Sequence, residues 1–321
     1  MDLSIIIVNY RGWEKLHKCL SSLASFRQCS FSYEVVIVDN YSNDGAITGF
    51  ISEFSGFRFI INDINGGFAY GCNIGAMQST GKKLLFLNPD TVASQEAITL
   101  LLEKSMQFPK CLISCNQVDE SGRISPAYGP FLSPGKVTGP GRALATLFGK
   151  TVTPANPLHP DWISGSVIMT GREFFLSVGG FDEDFWMYFE DMDLCLRARK
   201  AGGDVLCFTD FSIEHNHGGS SRINISTTAL TKTEVLISKH LYISKHFTPA
   251  AGFLAHATVI TGNLITGIIA TVMAAVFFYI PAVFVQAHIF FRLIGYYVNV
   301  AREKTWISRR SVNRALSIKP K

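Results

Sequence analysis

Short apolar runs with polar ends recur along the first hundred residues, each followed by a polar turn or a stretch with helical spacing. Leu3 to Tyr10 (LSIIIVNY), Tyr33 to Asp39 (YEVVIVD) and Lys82 to Asp90 (KKLLFLNPD) have almost no polar residue in their middles. A strand with one face in water alternates apolar and polar residues, whereas a strand covered on both faces reads as a continuous apolar run. Between these runs, Glu14 to Phe26 places Leu16, Leu20 and Leu23 on one helical face. Ile47 to Phe54 reads as a short helix, Phe57 to Asn62 as another strand, and Gln95 to Met106 as a helix. This rhythm predicts an α/β fold with a mostly parallel central sheet and helices on both faces. Further along, Asp161 to Met169 and Gly203 to Phe208 read as strands, the segment from Asp193 and Thr227 to His246 as helices, and 107–160 as a loop-rich cover.

Such sheets bind ligands beyond the carboxyl ends of their strands. Asn9 and Tyr10, Asp39, the loop from Asn65 and the segment Asn88-Pro89-Asp90 all fall at such ends. Their convergence on one edge is the first functional signal. The glycines Gly66, Gly67, Gly71 and Gly75 do not follow the first strand and form no G-x-G-x-x-G, so a dinucleotide fingerprint is excluded. They fit either a tight turn before a helix or a loop whose backbone N–H groups grip part of a nucleotide. Pro89 holds Asp90 rigidly just past a buried strand. There Asp90 either caps the next helix or ligates Mg²⁺ or Mn²⁺ on a diphosphate, which itself supplies further oxygens.

The stretch Gly179 to Gly202 carries Phe185, Trp186, Tyr188 and Phe189 directly before Glu190, Asp191 and Asp193. Carboxylates against rings are costly unless paired, hydrogen-bonded or metal-bound. A helix N-terminus accounts for some of them, and a catalytic base fits beside it. Asp191 is the preferred base, with Glu190 and Asp193 orienting it or serving structure. In EHNHGGSSR, Glu214 to Arg222, His215 and His217 share a face if extended, and the tail offers phosphate donors. Arg123, Lys136 and Arg142 either face phosphates or are solvated.

From Pro249 to Phe291 there is no Asp, Glu, Lys or Arg, while Lys239 and Lys245 precede this run and Arg292, Arg302, Lys304, Arg309 and Arg310 follow it. One membrane span takes about 20 residues. A hairpin with both ends cytoplasmic keeps both basic flanks on one side; helices lying in the interface and a buried dimer helix are the alternatives. The net charge of +4 is too small to indicate nucleic acid. Seven cysteines without a CxxC speak against a disulfide framework or zinc knuckle. The opening residues read as a strand rather than a signal peptide, which places the body in a reducing cytoplasm.

The blocks VNY (8–10), VVIVDNYSNDG (35–45), NGGFAYGCNIG (65–75), LFLNPD (85–90), DWISGS (161–166), GGFDEDFWMYFEDMDLCLRARKAG (179–202) and HNHGGSS (215–221) follow one another in an order that resembles the inverting glycosyltransferase family 2, rhamnosyltransferase-like branch. The resemblance spans roughly residues 3 to 245. It implies the GT-A nucleotide-diphospho-sugar transferase fold over 1–246, with 247–321 a membrane-associated helical region ending in a basic tail. It implies donor contacts from Asn9, Tyr10, Asp39, Asn65, Gly67 and Asp90, and acceptor contacts from Trp162, Gly165 and Tyr188. Asp191 would be the base beside Glu190, and Asp90 with His215 would hold Mg²⁺ or Mn²⁺, His217 being the rival ligand. Many members carry D-x-D where this chain has Asn88-Pro89-Asp90. The implied reaction moves a sugar, L-rhamnose from dTDP-L-rhamnose as first choice, to a lipid-linked saccharide in O-antigen or capsule synthesis. It would take place on the cytoplasmic face of the inner membrane, with no nucleic acid partner. A membrane-associated sugar-binding module and a GT-A nucleotidyltransferase are the competing functions; VNYRGWEKLH lacks the latter's Gly-rich basic loop.

Overall fold

A computed structural model describes residues 1–137, 155–216, 224–277 and 280–318. The chain divides into two compact units.

Among its described residues, the first unit comprises 1–131, 155–186 and 190–216. Its strands are β1 (Leu3–Asn9), β2 (Tyr33–Asp39), β3 (Arg58–Ile61), β4 (Lys83–Leu87), β5 (Thr91–Val92), β6 (Cys111–Val118), β7 (Tyr128–Gly129), β8 (Trp162–Ile163), β9 (Val167–Gly171) and β10 (Asp204–His215). Its helices are α1 (Trp13–Ala24), α2 (Ile47–Glu53), α3 (Phe68–Gln78), α4 (Gln95–Gln107), α5 (Arg172–Ser177) and α6 (Glu190–Lys200). The main sheet runs β3-β2-β1-β4-β9-β6-β10-β5. From β3 to β4 all neighbours are parallel, as are β6 and β10; β9 runs against both of its neighbours and β5 against β10. This is the mostly parallel sheet of the GT-A fold.

β1 is buried at every position because both faces are covered. One apolar layer joins the sheet to α1 and α4, through residues such as Leu16, Leu20, Leu23, Ile98 and Leu101. The other joins it to α3, α5 and α6, through Ala69, Cys72, Phe175 and Leu194. Ser94 starts α4 by accepting the Ala97 N–H at 3.1 Å. In α3, a Cβ on Gly75 would come within 2.4 Å of Ile6, so glycine is what lets this helix lie so close to β1.

Three local expectations need correction. Residues 161–169 do not form one strand: β8 pairs with β7 in a separate ribbon, and the chain turns at Ser164-Gly165-Ser166 before β9 joins the main sheet. The loop-rich reading of 107–160 hid β6, an interior strand whose buried Ser114 and Gln117 interrupt its apolar pattern. β10 does not stop at Phe208. A register shift between Phe208 and Ser212 lets it continue to His215, and Asn116 Nδ2 donates to the Thr209 carbonyl at 3.0 Å inside that bulge.

The second unit, in its described residues, comprises 132–137, 187–189, 224–277 and 280–318. It contains α7 (Ile225–His246), α8 (Pro249–Val276), α9 (Pro281–Glu303) and α10 (Val312–Ile318). α7 packs on α9 through Ala229, Ile237, Ile289 and Leu293, and Ile243 of α7 packs on Ala255 and Val259 of α8. α8 and α9 touch closely, since a Cβ on Gly267 would lie 2.0 Å from the Phe290 ring. Both are long and apolar enough to cross a membrane, and only 11% and 28% of their most apolar windows are buried. A core helix of a soluble protein would be mostly covered, so these helices leave apolar faces open instead.

Candidate active site

β1 and β2 align Asn9 with Asp39, which sets both side chains at the carboxyl end of the sheet. Both are buried. The Asp39 carboxylate accepts the Ser42 hydroxyl at 2.5 Å and the Ser42 N–H at 3.2 Å. Burial raises its pKa above the usual range, against these Ser42 bonds, which favour the anion. Asn9 Oδ1 accepts the Gly12 N–H at 3.1 Å and so shapes the turn out of β1. Tyr10 is exposed beside it, its ring 5.3 Å from the Arg11 guanidinium.

Asn65 sits in a polar lattice that sequence reading did not find. Asn40 Nδ2 donates to Asn65 Oδ1 at 3.0 Å and to the Gly67 carbonyl at 2.9 Å, while Asn62 Nδ2 donates to Asn40 Oδ1 at 3.1 Å. Asn40 and Asn62 are both buried. The hint in the sequence was their position at the ends of strands, Asn40 just past Asp39 and Asn62 closing the run from Phe57. Gly67 begins α3 at φ +93°. Its neighbour Phe68 donates its N–H to the Trp186 carbonyl at 3.0 Å, and Trp186 Nε1 returns a bond to the Asn65 carbonyl at 3.2 Å. The glycine turn is thereby tied to the segment that leads into the acidic helix.

That helix, α6, opens with Glu190, Asp191 and Asp193 and closes with Arg197, Arg199 and Lys200, charges that match its dipole at both ends. The carboxylates do different work. Asp193 is buried and bound by Arg197 at 2.6 Å and 2.7 Å, a structural pair. Asp191 is partly exposed; its oxygens accept the Gly165 N–H at 3.1 Å and the Met192 N–H at 2.7 Å. Glu190 is buried and its Oε2 has no hydrogen-bond partner. Burial, then the charges of Asp191 and Asp193, push Glu190 well above the usual carboxylate range, and burial raises Asp191 as well. The proton of this pair belongs on Glu190, because Asp191 has two amide donors to stabilise its anion while one Glu190 oxygen is buried without a partner.

The third group assembles across the far edge of the sheet. β10 meets β5 with His215 opposite Thr91, and Asn216 N–H donates to the Asp90 carbonyl at 2.9 Å. His215 Nε2 therefore lies 3.2 Å from Asp90 Oδ1. The other ring nitrogen, Nδ1, is 2.6 Å from Gln117 Oε1, whose acceptor character places a proton on Nδ1. With that tautomer Nε2 turns a lone pair toward Asp90 Oδ1; with a proton on Nε2 the two form an ion pair. Lys15 Nζ lies 3.9 Å from Asp90 Oδ2 and donates to the Asn216 carbonyl at 2.6 Å. Gln117 also donates to Ser166 Oγ at 2.7 Å, next to Gly165, so the Asp90–His215 pair and Asp191 are joined through one chain of bonded groups. Sequence reading passed over Gln117 and gave Lys15 no role at this site.

Trp162 lies on β8 and its Nε1 donates to the Pro130 carbonyl at 3.1 Å. Gly165 packs on Phe68, whose ring a Cβ would meet at 3.0 Å. Tyr188 belongs to 187–189, in the second unit, with φ +68° and an exposed side chain. His217, Arg142 and the Gly-Gly-Ser-Ser-Arg tail lie outside the described residues. Among the described residues no three His, Cys, Asp or Glu side chains gather into a group that could hold a metal ion.

Residues 4–132 match the family described as Glycosyl transferase family 2, and residues 153–217 the N-terminal domain of galactosyltransferase. An N-acetylglucosaminyl-diphospho-decaprenol L-rhamnosyltransferase of Mycobacterium tuberculosis is 27% identical over 226 residues, 62% of this chain and 71% of that protein. The rhamnosyltransferase WbbL of Escherichia coli is 25% identical over 219 residues, 62% of this chain and 77% of its own length. The crystal structure of GalNAc-T7 with UDP, GalNAc and Mn²⁺ superposes with a TM-score of 0.55 at 16% identity, covering 76% of this chain. The match spans half of the GalNAc-T7 chain.

Proposed function

We propose that this glycosyltransferase of the GT-A superfamily, related to rhamnosyltransferase-like enzymes, inverts the anomeric centre of a nucleotide sugar as it moves the sugar to a lipid-linked saccharide. The sugar is L-rhamnose from dTDP-L-rhamnose, and the product enters a surface polysaccharide such as O-antigen. The two rhamnosyltransferases among its relatives support that choice. The observation that carries the reaction class is the Asp191 carboxylate, held by the Gly165 amide and linked through Ser166 and Gln117 to the facing Asp90 and His215.

Asp39, Asn9 and Tyr10 receive the nucleoside end of the donor, and Asn65 and Gly67 shape the loop that closes on it. Asp90 Oδ1 and His215 Nε2 would hold Mn²⁺ or Mg²⁺, a carboxylate–imidazole pair that suits such an ion once phosphate oxygens complete the shell. The ion supplies positive charge to the departing diphosphate. Gln117 fixes the His215 tautomer for this task, and Lys15 adds a second positive charge beside Asp90. Asp191 takes the proton of the acceptor hydroxyl as that oxygen attacks the anomeric carbon. Trp162 and Gly165 border the acceptor. Residues 1–246 form the catalytic domain, and 247–321 associate it with the cytoplasmic face of the inner membrane.

The direct test is release of nucleoside diphosphate from a panel of nucleotide sugars by detergent-solubilised protein, with and without a polyprenyl-diphosphate saccharide. Acceptor-dependent release from dTDP-L-rhamnose is expected; release of pyrophosphate, or release from other donors only, would reject the proposal. Asp90→Ala and His215→Ala should each weaken nucleoside-diphosphate binding by about 10- to 100-fold in the presence of Mn²⁺ and by much less without it. Calorimetry with and without the ion reads this directly, and an unchanged metal response would remove both residues from that role. The full chain should stay in the pellet when membranes are washed at high pH; its appearance in the supernatant would show a peripheral association.

A further inference from the structure

After the run of 43 residues from Pro249 to Phe291, the first charge is Arg292, midway along α9. The charge-free limb of α9, Pro281 to Phe291, reaches about 16 Å at about 1.5 Å per residue. That is roughly half of a hydrocarbon core about 30 Å thick, the depth of one leaflet. If the turn between α8 and α9 points into the bilayer, Arg292 stands at the level of the lipid phosphates. At this level, α9, α7 and the returning segment 305–310 enclose a cavity of about 240 Å³. Arg292, Arg309, Arg310, Glu234, Ser308 and Glu303 are among its walls.

Among the described residues, guanidiniums outnumber carboxylates in and around this cavity. Both Glu303 oxygens are used, one by Arg309 and the other by Arg314 at 2.6 Å. Glu234 Oε1 takes the Ser308 hydroxyl at 3.3 Å and lies 3.7 Å from Arg310 Nε. Arg292 reaches a neutral partner, Ser226 Oγ, at 3.3 Å. Among the described residues, four guanidiniums and two carboxylates gather in and around this cavity. Moreover, Glu234 Oε2 is buried with no hydrogen-bond partner. Burial pushes the Glu234 carboxyl up to about 7, so a substantial share carries a proton at neutral pH. A protonated carboxyl beside arginines offers a donor without adding negative charge, a combination that suits a phosphate oxygen.

We propose that this cavity binds the phosphate of an anionic membrane lipid. Two lipid sources share that chemistry: a bulk phospholipid headgroup and a polyprenyl phosphate. Inter-helix basic pockets on the cytoplasmic side are suited to such groups, each arginine near the surface contributing about fivefold in affinity. The site lies wholly in the helical unit, and its occupancy is measured without donor or turnover, so it stands or falls apart from the transfer reaction.

The test is native mass spectrometry of the full chain released from detergent containing phosphatidylcholine and graded amounts of phosphatidylglycerol or undecaprenyl phosphate. One phosphate lipid should be retained in preference to phosphatidylcholine. Equal retention of the two anionic lipids assigns the bulk headgroup; preference for undecaprenyl phosphate assigns the carrier lipid. Inorganic phosphate should compete with either, and its failure to do so counts against the phosphate as the recognised group. Arg292→Gln and Arg310→Gln should each lower retention about fivefold, while Arg292→Lys and Glu234→Gln keep it. Those last two variants separate lost charge from lost fold. Retention of anionic lipid no better than phosphatidylcholine, or a folded double Arg292→Gln/Arg310→Gln variant that binds as the parent does, would overturn the proposal.

Discussion

Asp191→Asn is expected to lower kcat about a thousandfold while leaving nucleotide-sugar binding within a few-fold of the parent. The change keeps the shape of the side chain and the bond from the Gly165 N–H, and removes only the ability to take a proton. Its neighbour supplies the control. Glu190 is buried, is pushed upward by burial and two adjacent carboxylates, and has an oxygen without a partner. Glutamine mimics that neutral acid, so Glu190→Gln should retain most of kcat. It should also gain stability relative to the parent as pH rises. The folded pKa of Glu190 lies above its ordinary value of 4.5, so the folded state holds a proton that the unfolded chain gives up above that pH. The parent therefore loses stability from about pH 4.5 upward, and the glutamine variant does not share this loss. Steady-state nucleoside-diphosphate release, with calorimetry for donor affinity and thermal unfolding at two pH values, reads all three effects. If Glu190→Gln abolished turnover and Asp191→Asn spared it, the roles of the two carboxylates would be exchanged.

The sheet edge was legible in the sequence because parallel strands covered on both faces are written as continuous apolar runs, and ligand sites follow from where those runs end. Asp39, Asn65 and Asp90 could be placed on that basis alone. The meeting of His215 with Asp90 could not. It depends on β10 continuing through a bulge and pairing antiparallel with the two-residue β5, and neither a bulge nor so short a strand leaves a periodic trace. Gln117 stayed hidden for a related reason: one buried amide within β6 reads as an interruption of the strand, although it sets the His215 tautomer. The sequence singled out Asp191 as base but left Glu190 and Asp193 as orienting or structural without telling them apart. The three share a sequence environment and differ only in burial and in which N–H or guanidinium group reaches them.

Gly67→Ala should be among the most damaging single-methyl additions in the first unit. At φ +93° and ψ 176° Gly67 lies in a region that is essentially glycine's alone, where an alanine is strained by roughly 1–3 kcal/mol on conformation alone. The added Cβ would also fall 2.0 Å from the Trp186 carbonyl oxygen, a backbone atom that cannot rotate away. That oxygen accepts the Phe68 N–H, and the Trp186 indole holds the Asn65 carbonyl, so relieving the clash breaks the tie between the α3 turn and the approach to α6. A total cost of about 3–5 kcal/mol follows, or roughly 10 °C in Tm for a unit of this size. Gly45 separates strain from clash, since it also has positive φ, +76°, with nothing within 4 Å of the added methyl. Gly45→Ala should cost about 1 kcal/mol, the strain term by itself. Thermal unfolding of the two variants side by side measures the difference. Equal shifts would mean that the Trp186 carbonyl yields freely, and the turn would then not be what holds Asn65 and the acidic helix in register.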